Sequence, residues 1–157
     1  LNAGTNDTLQ NYDLPNAPAR LHALIDQIIA DRPAVSVVVA TLIPSRARRS
    51  PTRPTDATSN SRVQAFNAHI PAIVQAERAA GHKVFAADLN STLPTADIGP
   101  DGIHPNYAGY VKLANLWFSA LQPVLGAGRP WLESKADFGA AAPPLTWTDS
   151  VYARASG

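Results

Sequence analysis

The sequence predicts a three-layer α/β fold, a parallel sheet with helices on both faces, and three observations lead there. The run "AVSVVVATLIP", residues 34–44, is unbroken and largely β-branched, the pattern of a strand covered on both sides. Amphipathic helical stretches stand before and after it, so strands and helices alternate along the chain. The strand exits that lead back into helices are rich in Gly, Asn, Asp and Thr, and in right-handed βαβ units such exits gather at the carboxyl ends of the strands, where ligands bind.

Each element follows in order. "LNAGTNDTLQ", residues 1–10, reads as the end of a buried strand giving way to a polar loop. "NAPARLHALIDQIIADRP", residues 16–33, sets Leu21, Leu24, Ile25, Ile28 and Ile29 at helical spacing, with Asn16 as cap, Pro18 in the first turn and Pro33 past the end. The strand at 34–44 comes next, then an arginine-bearing stretch, residues 45–61, with no periodicity and the character of an exposed loop. Val63, Phe66, Ile70, Ile73 and Val74 mark a second helix, bent near Pro71, which brings no amide hydrogen, and ended by Gly81. "KVFAADL", residues 83–89, is the next strand, and residues 90–105 form a long loop. The last helix places Tyr110, Leu113, Ala114, Trp117 and Leu121 on one face. From about Gly126 alanine, proline and glycine take over and periodicity stops, so residues 1–126 read as the domain and 127–157 as a tail or linker, with no internal repeat.

Composition narrows the function. A hydrophobic fraction of 45% with a net charge of +1 fits one soluble globular domain and does not favour nucleic acid as a partner. No apolar run approaches the roughly 18 residues of a membrane span. Absence of cysteine removes disulfides, thiolate nucleophiles and cysteine metal sites. His22, His69, His82 and His104 show no metal-ligand spacing with one another, so no catalytic metal and no cofactor are expected. Methionine is absent too, and Leu1 stands inside an apparent strand end, so translation is expected to have begun upstream, where any signal peptide would lie.

The chemistry concentrates in two loops. In "DGIHPNYAGY", residues 101–110, Asp101 stands three before His104. A neutral imidazole is a base near pH 7, and a carboxylate bonded to its Nδ1–H fixes the tautomer and stabilises the imidazolium. The competing reading is a surface pair that caps the last helix. In "GTND", residues 4–7, the Asn6 amide at a strand end could donate to a developing oxyanion, with Gly4 allowing the tight turn and Asp7 supporting the loop. Such residues also mark ordinary loops. Tyr107 is a possible pocket wall beside His104, although aromatics at helical spacing are more often core. Arg46, Arg48, Arg49 and Arg53 would suit an acidic sugar, but arginine-rich loops are more often simply solvated.

Together "GTND" and "DGIHP" resemble two consensus blocks of the SGNH hydrolases, the GDSL esterase and lipase family, whose fold is a flavodoxin-like α/β/α sandwich. "NAPARLHALIDQII", "VVVATLIPS" and "FNAHIPAIV" look like its secreted carbohydrate-esterase branch, and the resemblance covers about residues 1–125. It implies His104 as general base, Asp101 as its orienting acid, Asn6 as an oxyanion-hole donor, and serine ester hydrolysis, with an acetylated carbohydrate such as acetyl xylan as substrate. The family's Gly-Asp-Ser block and its oxyanion glycine block lie upstream of the asparagine block, and this chain holds neither. Ser45 follows a strand at the active end but lacks that setting, so no serine here is assigned as nucleophile. The resemblance therefore implies that the N-terminal strands are missing, that a companion polypeptide or N-terminal segment carries the serine, and that residues 1–157 alone fold poorly. Three rivals stand beside it: a lipid esterase of the same family, a non-catalytic binding or structural module, and a metal-dependent hydrolase using Asp101 and His104.

Overall fold

The β-branched run forms strand β1, Ser36–Ala40, and "KVFAADL" forms β2, Lys83–Ala87, which pair in parallel with Val38 opposite Phe85. On the other edge of β1 the Leu1 amine donates to the Val38 carbonyl at 2.6 Å and the Ala40 amide donates to the Leu1 carbonyl at 2.9 Å. This reciprocal pair straddling Val39 is a parallel ladder, so Leu1 takes a strand position beside β1. These contacts come from a computed structural model that describes residues 1–46 and 58–125. The chain divides into Leu1–Val124, whose architecture follows, and Leu125–Gly157. The expected tail at 127–157, and Arg48, Arg49 and Arg53, lie outside the described residues.

Because successive strand residues point to opposite faces, β1 serves two cores. Val37 and Val39 pack with Leu21, Ile25 and Ile29 of a helix at Ala17–Asp31, and with Val63, Phe66, Ile70, Ile73 and Val74 of the second helical stretch. Val38 and Ala40, with Ala87 and Leu89, meet Leu113, Leu116, Trp117 and Leu121 of the last helix, Tyr107–Leu125. Helices thus cover both faces of the sheet, which is the three-layer arrangement the sequence predicts. No helix of the described residues is long and apolar enough to cross a membrane.

Four local expectations need correction. Residues 5–10 are not loop but a short helix, α1 (Thr5–Gln10), entered through Gly4 at φ 111°. A side chain at Gly4 would have its Cβ 2.6 Å from the Phe66 ring, so close packing and backbone twist both require glycine there. Asn16 precedes α2 (Ala17–Asp31), yet its side chain bonds the Asp13 carboxylate at 2.8 Å rather than a helix amide. The second helix is not one bent rod but two: α3 (Ser59–Asn67) and α4 (Ile70–Ala79), with Pro71 in the first turn of α4, where its missing amide hydrogen has no intrahelical partner to lose. Finally, on α5 (Tyr107–Leu125) the seam runs through Leu113, Leu116, Trp117, Ala120, Leu121 and Val124, while Tyr110 and Ala114 are exposed. That helix is apolar on much of its circumference, so spacing alone did not fix which stripe turns inward.

The end of α4 follows expectation. Gly81 at φ 88° donates its amide to Arg78 and the His82 amide donates to Glu77, a Schellman closure that releases the chain into β2.

Candidate active site

Parallel strands deliver all their exits to one end of the sheet, so the turn after Leu1, the segment after β1 and the loop after β2 share that end. The β1 exit is fastened by polar side chains. Thr41 accepts the Leu89 and Asn90 amides at 2.9 and 3.0 Å on its hydroxyl. The Asn67 amide group pairs with both backbone groups of Leu42 at 2.8 Å, and Asn90 donates to the same carbonyl at 2.7 Å. An otherwise irregular segment becomes a platform in this way.

The loop that holds the predicted acid and base closes on itself. Ile98 and Pro105 form an antiparallel bridge, the Gly99 amide donates to the His104 carbonyl at 2.7 Å, and Gly102, at φ 75°, donates to Gly99 at 3.0 Å. From the platform, Arg46 donates its amide to Gly102 and its guanidinium to Gly99, each at 2.9 Å. Asn106 caps α5: its side-chain oxygen accepts the Gly109 amide at 3.0 Å while its own amide donates to Asp97 at 2.7 Å. The helix end is therefore satisfied by Asn106, and Asp101 and His104 are not its caps.

Asp101 instead serves the turn and the imidazole. One carboxylate oxygen accepts the Ile103 and His104 amides at 3.0 and 2.9 Å, and the other meets His104 Nδ1 at 2.5 Å. Partial burial pushes the Asp101 carboxyl up, but these amides and the ring outweigh it and hold it down at about 2. At neutral pH the carboxylate can only accept, so in the neutral imidazole Nδ1 carries the proton and Nε2 the basic lone pair. The His104 side chain is 69% exposed, and its Nε2 has no hydrogen bond among the described residues.

The other expected residues occupy distinct places. Asn6 is exposed on the first turn of α1, in the strand-exit region after Leu1. Asp7 is bound by Arg20 at 2.5 Å, and the same guanidinium reaches Asp13 at 2.5 Å and lies over the Tyr12 ring, tying α1 to α2. Gly4 and Asp7 line a shallow cleft with Ala3, Ala17, Arg20 and Phe66. Tyr107 is 78% exposed on the open surface beside the loop. Ser45 is buried, bonds Asn60 through its amide, and its hydroxyl has no hydrogen-bond partner among the described residues, so it is sealed from an ester rather than presented to one. Arg46 is the residue whose part the sequence did not disclose. Its pairing with Gly99 spans 53 positions and leaves no local pattern.

Residues 1–112 match the model of a family described as GDSL-like Lipase/Acylhydrolase. A curated relative from Acetivibrio thermocellus that bears the designation endoglucanase X is 34% identical over 126 residues, 79% of this chain and 49% of that protein. A multidomain esterase from Ruminococcus flavefaciens is 28% identical over 155 residues, 95% of this chain and 19% of that protein. The solved structure of a Clostridium thermocellum family 3 carbohydrate esterase is 34% identical and superposes with a TM-score of 0.63 over 80% of this chain and 55% of the other. The chain thus spans half or less of the length of the curated relatives it matches.

Proposed function

Since this chain belongs to the GDSL-like lipase/acylhydrolase family, we propose that Asp101 and His104 are the orienting acid and the general base of a serine ester hydrolase that removes acetyl groups from carbohydrate. The observation that carries this reading is the 2.5 Å contact from Asp101 to His104 Nδ1, made on a loop that Arg46 and α5 hold in place, with Nε2 left open. In this mechanism Nε2 takes the proton of a serine hydroxyl as the oxygen attacks the ester carbonyl. The side-chain amide of Asn6 donates to the resulting oxyanion. Collapse of the tetrahedral intermediate breaks the ester bond, His104 returns the proton to the departing alcohol, and water, activated by the same nitrogen, releases the acid. The serine comes from polypeptide outside these 157 residues, a preceding segment or a companion chain. The carbohydrate esterase named among the solved structures supports the choice of acetylated sugar over lipid.

The test is hydrolysis of p-nitrophenyl acetate and of acetylated xylo-oligosaccharides by this chain assembled with the serine-bearing segment. Activity should vanish with His104→Ala and after a serine-directed fluorophosphonate, and should fall as the acyl chain lengthens. Faster turnover of long-chain esters would move the substrate to lipid. Undiminished hydrolysis by His104→Ala, or none by any assembly, would refute the esterase reading.

A further inference from the structure

A second group of ionisable side chains lies at the other end of the sheet. α4 runs toward the start of β2, so its last turn and the residues that follow it sit near the amino end of that strand, away from the exits that carry His104. His22 and Asp26 are four apart on α2 and therefore on one face of it. Glu77 projects from the last turn of α4, and His82 follows the Schellman closure. Glu77 Oε1 meets His22 Nε2 and Oε2 meets His82 Nδ1, each at 2.6 Å. Ligand-capable atoms of His22, Asp26 and Glu77 all lie within 4.8 Å of one another.

We propose that His22, Asp26, Glu77 and His82 form a zinc-binding clamp that ties α2 to the end of α4. Two imidazole nitrogens with two carboxylates suit zinc, whereas calcium and magnesium prefer oxygen alone. In a tetrahedral site with metal–ligand bonds of about 2.0–2.1 Å, neighbouring donors stand roughly 3.3 Å apart, within the range that His22, Asp26 and Glu77 already span, and His82 Nδ1 stands 2.6 Å from Glu77 as the fourth donor. Side-chain exposure grades from 3% at Glu77 to 38% at His22 and 37% at His82, so a buried anion is reached past two half-open rings, an entry path for a cation. On binding, the imidazole nitrogens exchange their contacts with Glu77 for bonds to the metal, and the protons they held there shift to the opposite ring nitrogens or to solvent. The sequence gives no hint of this, because its ligands come from segments 55 residues apart. The clamp is independent of the proposed hydrolysis and has a structural part only.

Zinc is titrated by calorimetry into the untagged chain assembled with the serine-bearing segment, and thermal unfolding is followed with zinc and with excess chelator. One zinc per chain is expected at a Kd of about 1 μM or tighter, a scale that ligand-rich sites readily reach. The melting temperature should rise with zinc and return with chelator, since a ligand of the native state shifts unfolding. His22→Ala and His82→Ala should each weaken binding at least tenfold, and Asp26→Asn, at an exposed position, should do so without loss of fold. His69→Ala, outside the cluster, should change nothing. Binding weaker than about 1 mM, or binding that survives all three cluster variants, would overturn the proposal.

Discussion

Asp101 does two jobs that one substitution can separate. In Asp101→Asn the oxygen that holds the Ile103 and His104 amides can be retained, so the turn should lose only about 1 kcal/mol, the scale of one altered hydrogen bond. The second oxygen becomes an amide donor facing His104 Nδ1, which forces the ring to place its proton on Nε2, the nitrogen proposed as the base. In the assembled enzyme kcat should fall by about 10³–10⁴ while the melting temperature moves little, by analogy with the same exchange in serine protease triads. Loss of fold in proportion to loss of activity would argue that the residue is structural. The carboxyl itself supplies a pH signature. Its folded value, about 2, lies below the ordinary 3.8, so its contribution to the turn is complete above roughly pH 4 and disappears as pH falls through about 2. Amide resonances of Ile103 and His104 should titrate near 2; a midpoint near 3.8 would mean the carboxylate is not held. This pair was legible in the sequence because its geometry is contained in four consecutive positions. Arg46 was not, because its role is set by two carbonyls more than 50 residues away.

At the level of elements, what could be read depended on whether the stabilising group was local. The Schellman end at Gly81 is written in adjacent residues, and β1 is written in an uninterrupted β-branched run. The break between α3 and α4 was harder, because Val63, Phe66, Ile70, Ile73 and Val74 keep helical spacing across it and all enter one core. The Asn67 side chain, turned to pair with the backbone of Leu42, sits just before that break. The junction of the loop that bears Asp101 and His104 with α5 depends on a close approach that spacing cannot show. A Cβ on Gly109 would stand 2.6 Å from the Asp97 carbonyl and 2.8 Å from the Pro105 side chain, neither of which can swing aside. Gly109→Ala should therefore destabilise by about 2 kcal/mol, within the range for overpacked sites. Asn106→Ala, which removes the cap, should cost about 1 kcal/mol. Urea unfolding midpoints measure both, and a neutral Gly109→Ala would mean that α5 is free to move away from the loop.

Across the whole molecule the two helical layers hold the sheet unequally. The α2, α3 and α4 layer buries Leu21, Ile25, Val63, Phe66 and Ile70 to 5% exposure or less, and meets Val37 and Val39 there. The α5 layer meets the sheet through Leu113, Leu116, Trp117 and Leu121, all only partly buried. Apolar stabilisation scales with area removed from water, so equal truncations should not have equal effects. Ile25→Ala, at a fully enclosed position, should cost about 3 kcal/mol or more, whereas Leu116→Ala should cost roughly half that, because less surface is withdrawn and the gap left is open to solvent. The same inequality sets the order of opening. Elements with fewer enclosed apolar contacts unfold locally at lower free energy, so native-state hydrogen exchange should release the α5 amides before those of α2. Because His104 stands at the entry of α5, on a loop fastened by Arg46 to the β1 exit, its own turn should stay protected while the distal part of that helix opens. Exchange of α5 at the same free energy as α2 would show instead that both layers unfold as one cooperative unit.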